Sequence, residues 1–193
     1  MAGTVAVLIL AVLGVIAAWA VLLYNGLVAA RQECRRAWSN IDVLLKQRHD
    51  ELPRLVEICR GYMEYERDTL EAVMKARARL TRAQTVPAQA RASEGVTGAV
   101  RHLFALAEGY PDLKANEGFA RLQTRITEIE NQIADRRELY NAAVTAWNTR
   151  LEQVPDLAVA RAASMEPRAL WKAEESERRV PAVGFPGPSV KTS

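Results

Sequence analysis

Charged side chains are absent from the first thirty residues of this 193-residue chain. Residues 5–23 are almost entirely Val, Leu, Ile and Ala. As a helix this stretch would span about 28 Å, close to the roughly 30 Å hydrocarbon core of a bilayer. Trp19 and Tyr24 lie towards one end, where aromatic rings favour the headgroup boundary. The sequence therefore predicts a transmembrane helix at 5–24 that binds the lipid bilayer, after a short tail at 1–4.

Lys and Arg are also missing before the apolar run, whereas secretory signals usually begin with positive charge. The tripeptide Ala18-Trp19-Ala20 nevertheless fits a small-x-small cleavage pattern, so an envelope protein released by signal cleavage stays an alternative. No cysteine lies near that point, which excludes a lipoprotein anchor. The basic residues Arg31, Arg35 and Arg36 follow the run, and they predict an outside N-terminus and a cytoplasmic C-terminal domain.

Cysteine and histidine are scarce, with two of each in the chain. Cys34 and Cys59 lie twenty-five residues apart on predicted helix, too far for a disulfide, so we expect reduced, buried or inert thiols. His49 and His102 lack the His-Glu-x-x-His spacing of zinc proteases. The side chains of His49-Asp50-Glu51 would point about 100° apart on a helix and would not converge on a metal.

Other motifs of enzyme chemistry are missing as well. The sequence has no phosphate-binding glycine loop, nucleophile elbow or paired-cysteine motif. Its 26 basic and 23 acidic side chains nearly balance, and no nucleic-acid-binding motif accompanies the net charge of +3. We therefore predict no catalytic residue, no metal, no cofactor, no enzymatic activity and no nucleic-acid partner.

The residues after the anchor follow helical spacing, without strand-like alternation. One stripe predicts either a single bent helix from the membrane to about Arg82 or two helices meeting near Pro53, and we favour the bent helix. A polar turn at 84–94 follows, and Ser93 is expected to cap a short helix that ends at Gly109. The stripe comprises Trp38, Ile41, Leu45, Arg48, Leu52, Val56, Cys59, Met63, Glu66, Leu70, Val73, Arg77 and Leu80.

The last long helix has the clearest pattern. Asn116 is expected to cap it, its apolar residues follow coiled-coil spacing, and Pro155 should end it. Residues 156–193 are predicted to hold a short helix near 169–178 and a flexible tail. The fold class is thus all-α, with a single transmembrane helix followed by an elongated antiparallel bundle of three or four long helices over 25–155. The apolar positions are Phe119, Leu122, Ile126, Ile129, Ile133, Tyr140, Val144, Trp147 and Leu151.

Several ordered motifs over about residues 20–155 resemble the LemA family. They are Ala37-Trp38-Ser39-Asn40-Ile41-Asp42-Val43, Arg48-His49-Asp50, Leu52-Pro53, Tyr110-Pro111-Asp112-Leu113-Lys114-Ala115-Asn116, Glu130-Asn131 and Tyr140-Asn141. The resemblance implies a single-pass protein of the bacterial cell (inner) membrane with a helical bundle on one side and no established activity. One branch of the family is associated with organising magnetosome membranes, which favours a scaffold role.

Polar residues within these motifs are the candidate site. They either fix the register of the helices or recognise a partner, which would be an unidentified membrane or cytoplasmic protein, or a second copy. The leading hypothesis is a membrane-tethered scaffold or adaptor. The alternatives are a subunit or regulator of a membrane enzyme or protease system, with a site at the kink near Pro53, and the released envelope protein. By contrast, the charges of Glu128, Glu130 and Asp135 are expected to form solvated pairs along their helix. The candidates are Asn40, Asp42, His49, Pro53, Asn131, Tyr140 and Asn141.

Overall fold

The computed structural model describes residues 2–172, and these are helical without any strand. The all-α prediction is confirmed for this part of the chain, together with one long apolar N-terminal helix. The predicted flexible tail and the rest of the short helix expected near 169–178 lie outside the described residues. The helices are α1 (Ala2–Arg60), α2 (Arg67–Arg82), α3 (Val86–Ala107), α4 (Pro111–Lys114), α5 (Glu117–Glu152) and α6 (Asp156–Ala162).

The N-terminal third of α1 is exposed in the described chain. Its large apolar side chains are more than half exposed as far as Leu22, and the first buried residue is Leu27. By length and hydropathy, this is a helix able to cross a membrane. α1 continues without interruption from this segment into the folded domain.

Pro53 lies inside α1 and does not end it, so the prediction of two helices meeting there is wrong. The favoured alternative, one helix to Arg82, is wrong too, because α1 ends at Arg60. A turn follows, in which the amide of Met63 donates to the carbonyl of Cys59 at 2.8 Å. Met63 is fully buried in this turn, so the apolar stripe continues through a reversal of the chain.

The long helices α1 and α5 pack antiparallel. Cys34 contacts the backbone of Ala143 near the exposed apolar segment, and Arg48 contacts Glu130 further along. α2 and α3 pack together against the part of this pair that lies away from the apolar segment. The end next to the apolar segment is instead completed by α6 and the residues after it.

The start of α3 differs from the prediction. α3 begins at Val86, where the Thr85 side chain accepts a hydrogen bond from the Ala88 amide at 3.3 Å. Ser93, the expected cap, is buried in the second turn. Pro87 is tolerated because the first turn of a helix has no intrahelical use for its missing N–H. The predicted polar turn is thus largely helix.

α5 follows its prediction closely. The Asn116 side chain accepts from the Phe119 amide at 3.0 Å, which confirms the expected cap. The helix ends at Glu152, just before Pro155. The short helix expected near 169–178 is wrong over its described part, because residues 169–172 are not helical. We call residues 163–172 the strap.

Candidate functional site

A buried arginine connects three helices at the centre of the domain. Arg48 of α1 is completely buried, and its Nη1 donates to Glu130 Oε1 of α5 at 2.6 Å. On the side of α3, Nη2 donates to Ser93 Oγ at 2.7 Å and Nη1 to Thr97 Oγ1 at 3.2 Å. The Thr97 hydroxyl also donates to Glu130 Oε2 at 2.7 Å. We call these four residues the Arg48 network.

The Arg48 network satisfies most of a charge that would be costly to bury alone. A buried guanidinium needs an anionic partner and acceptors for its N–H groups. Glu130 supplies the charge and the two hydroxyls supply further contacts, while Arg48 Nε has no partner within the described residues. The arrangement holds only at one register of α1, α3 and α5, so it can specify how these helices align.

The prediction for Glu130 was wrong. It was expected to form a solvated pair along its own helix, yet it reaches across to Arg48 and its side chain is only 20% exposed. The candidate Asn131, its neighbour, is exposed. The two side chains point about 100° apart on the helix, so only one of them can face the core.

Pro53 and His49 meet α2 through a backbone contact. Proline has no N–H, so Pro53 leaves the carbonyl of His49, four residues earlier, without its helical donor. Arg77 of α2 replaces that donor, with Nε 2.9 Å from the His49 oxygen. The freed carbonyl is His49's own, and Arg77 is the residue that sequence reasoning missed.

An open groove of about 400 Å³ lies beside this contact. Asp42, Lys46, His49 and Asp50 line it from α1, and the end of α2 and the start of α3 line its other side. Asp42 is exposed in this groove. Asn40 is also exposed, but it lies at a different surface between α1 and α5. The predicted candidates therefore do not form one cluster.

Tyr140 and Asn141 hold the strap against α5. The Asn141 amide pairs with both backbone groups of Trp171: Nδ2 donates to the carbonyl at 3.1 Å, and the Trp171 amide donates to Oδ1 at 2.7 Å. The buried Tyr140 hydroxyl donates to the Ala169 carbonyl at 3.0 Å. Trp38 packs against both Tyr140 and Trp171, with ring centroids 5.5 and 5.6 Å away.

Two further residues of α5 bind the strap, and sequence reasoning missed both. Asn148 makes the same pair of bonds to the backbone of Arg168, at 2.9 and 2.8 Å, and Trp147 Nε1 donates to the Glu166 carbonyl at 3.0 Å. Asn148 lies seven residues after Asn141, two helical turns along the same face. That spacing was the available signal.

Comparison with known proteins decides the family. Residues 37–185 match the LemA family. This chain belongs to the LemA family. The match covers the Arg48 network, the groove and the strap, and it begins after the exposed apolar segment.

Curated relatives of this LemA chain include Protein LemA of Metamycoplasma hominis, 27% identical over 158 residues, which cover 80% of this chain and 71% of that protein. Magnetosome proteins MamQ 1 and MamQ 2 of Paramagnetospirillum magneticum are each 26% identical over 178 residues. That alignment covers 78% of this chain and 65% of each MamQ protein, so the similarity spans slightly less than two thirds of their length.

Both cysteines of the LemA chain are buried and free, as predicted. Burial raises the pKa of the Cys59 thiol to about 11. Burial also raises the pKa of Cys34, although the nearby Arg168 guanidinium opposes the shift. Within the described residues no group of three His, Cys, Asp or Glu side chains is placed to hold a metal ion.

Proposed function

We propose that this LemA-family protein is a single-pass, membrane-anchored scaffold or adaptor without enzymatic activity. Its elongated antiparallel bundle of long helices would be held beside the bilayer. The observation that carries the proposal is the helical segment 5–24, which is apolar, exposed and continuous with a folded domain.

The exposed surface of this segment supports the anchor. Monomeric soluble proteins rarely expose a contiguous apolar patch larger than a few hundred Å². Here large apolar side chains from Val5 to Leu22 are each 52–69% exposed and surround the helix on all sides. A helix that is apolar all round is suited to lipid, not to packing by one face against a protein.

We infer the orientation from the charges that follow the segment. Arg31, Arg35 and Arg36 are all exposed within about fifteen residues of its end. The positive-inside rule then gives an N-terminus outside and a folded domain in the cytoplasm of a bacterial cell. The MamQ relatives are named as magnetosome proteins, and by analogy we infer a role in organising a membrane or its proteins.

Two kinds of polar residue support an adaptor. Arg48 and Tyr140 are buried and connect structural elements, whereas Asn40, Asp42 and Asn131 are exposed. The exposed set is available to an unidentified membrane or cytoplasmic protein, or to a second copy. We assign partner recognition to these three residues and helix alignment to the buried ones.

Extraction with alkaline carbonate tests the anchor. The full chain should stay in the membrane pellet, and its release into the supernatant would refute the proposal. Intact mass of the protein in both pellet and supernatant tests signal cleavage, because a cut after Ala20 would remove most of the apolar segment and leave Leu27 and the rest of the folded domain in place. Reporter fusions at Ser193, active only on one side of the membrane, then test the orientation.

Cross-linking in native membranes tests the adaptor role. Asp42→Ala should keep the melting temperature of the wild type and lose a cross-linked partner, and Asn131→Ala tests a second face in the same way. Asp112→Ala, an exposed carboxylate on α4, is the control for charge removal. An identical set of cross-linked proteins for wild type and all variants would count against recognition by these residues.

A further inference from the structure

A pocket of about 310 Å³ lies at the end of the domain next to the anchor. Arg31 of α1 and Trp147 of α5 line one side, and residues 164–168 of the strap line the other. The pocket thus lies between the first helix and the strap.

The position of Arg31 places this pocket near the headgroups. Arg31 follows Tyr24, the end of the apolar segment, by seven residues, which is about 10 Å of helix. The headgroup layer on each side of the hydrocarbon core is roughly 5–8 Å thick. Long arginine side chains extend towards that layer and keep their charge in it.

The strap holds Arg168 firmly in the same pocket. Its backbone N–H and C=O are both bonded to the Asn148 amide, at 2.8 and 2.9 Å. Arg31 of α1 lines the same pocket, so the two arginines face a common space.

Arg31 and Arg168 form no ion pair in the described structure. No carboxylate within residues 2–172 forms an ion pair with Arg31 or Arg168, and Glu166 is the only carboxylate among the pocket residues. Arg150, at the same end, differs: its Nε donates to Asp156 at 2.6 Å and its Nη1 to the Gly26 carbonyl at 2.7 Å. Within the described residues the pocket therefore presents two guanidinium groups that form no ion pair, together with the single carboxylate of Glu166.

We propose that this pocket binds the phosphate of an anionic phospholipid headgroup, with Arg31 and Arg168 as its ligands. Guanidinium groups make paired, charge-assisted hydrogen bonds to phosphate oxygens. The proposal rests on the membrane anchor proposed above, because the anchor brings the pocket to the headgroup layer. The bound lipid would then fix the strap and α1 at the membrane surface.

The test uses the full chain in nanodiscs of phosphatidylcholine alone and of phosphatidylcholine mixed equally with phosphatidylglycerol. We expect phosphatidylglycerol to raise the melting temperature of the wild type by about 4 °C. Arg31→Gln and Arg168→Gln should each abolish the rise. Arg161→Gln is the matched control, because Arg161 is an exposed arginine on α6 that does not line the pocket, and it should keep most of the rise.

Each other outcome has a defined meaning. If all three variants lose the rise in melting temperature equally, or if the wild type shows no rise, the proposal that this pocket binds the lipid is refuted. A rise of the same size on adding inorganic phosphate to phosphatidylcholine discs would overturn the lipid as the ligand. Arg168→Lys retains the charge, so partial recovery of the rise distinguishes lost binding from damage to the strap. Failure of the anchor would appear separately, as protein absent from the nanodisc fraction.

Discussion

Removing the charge of Glu130 should destabilise the domain far more than removing a neighbouring charge. Glu130→Gln keeps the shape of the side chain but leaves the fully buried Arg48 without its anion. Breaking a buried ion pair from one side costs about 3–5 kcal/mol. The Glu130 side chain is 20% exposed and the hydroxyls of Ser93 and Thr97 remain, so we expect a smaller cost than this range, about 2–3 kcal/mol.

The corresponding fall in melting temperature is about 8 °C for a domain of this size. Circular dichroism at 222 nm, recorded on the full chain in a mild detergent during heating, measures it. The control is Glu128→Gln on the same helix, since Glu128 is exposed, and it should change the melting temperature by less than about 2 °C. Equal effects of the two substitutions would show that the Arg48 network contributes nothing to stability.

Three further predictions concern other contacts. Arg77→Leu should destabilise the domain by about 1–2 kcal/mol, because it removes the donor to the carbonyl freed by Pro53, whereas Arg79→Leu at an exposed position should not; equal melting temperatures would contradict this. Asn141→Ala should speed limited tryptic cleavage within the strap while the fold of α1 and α5 persists, because it removes both hydrogen bonds to the Trp171 backbone. Unchanged cleavage would contradict the inference that Asn141 holds the strap against α5. Cys59 should react with a thiol reagent at pH 8 about a hundredfold more slowly in the folded than in the unfolded chain. Because its folded pKa is raised from 9.0 to about 11, its contribution to stability is complete below pH 9 and is lost as the pH rises towards 11.

The sequence predicted best what depends on neighbouring residues. The start, apolar face and end of α5 follow from Asn116, a three-four spacing interrupted once near Arg136, and Pro155, which all act within a few residues of the feature they determine. The apolar N-terminal helix is predictable for the same reason, because its composition alone distinguishes it from the rest of the chain. These features need no knowledge of which helices pack together.

The turn after α1 could not be predicted in this way. Pro53 is a strong local signal for a break, but a donor from α2 compensates for its missing N–H. The true reversal after Arg60 has Met63 buried at the position that a continuing helix would also bury. The contact from α2 thus allows the helix to continue through Pro53, and the burial of Met63 makes the turn after Arg60 look like continuing helix.

The sequence predicted where the candidate residues lie along the chain but not which of them face the core. Sequence motifs identified the neighbourhoods of Arg48, Glu130 and Tyr140, but spacing alone did not show which of two adjacent polar residues faces inward. A difference of one residue rotates the side chain by about 100°, and this selected Asn131 in place of Glu130. The strap was missed because it is held by hydrogen bonds from side chains to its backbone. Every residue has a backbone carbonyl, so the residue types of the strap do not show which backbone groups are bound.

The way the anchor joins the domain constrains how any scaffold role would operate. α1 passes from the exposed apolar segment into the core without a linker, and Leu27 is already buried two turns before Cys34. Arg150 ties the end of α5 to the carbonyl of Gly26, where a larger side chain would begin only 2.9 Å from the guanidinium. Moving the domain relative to the apolar segment would therefore require breaking helix hydrogen bonds or this contact. In the proposed membrane arrangement, a partner bound near Asp42 would lie about 27 Å beyond Tyr24 along the helix, so the length of α1 would set its distance from the bilayer.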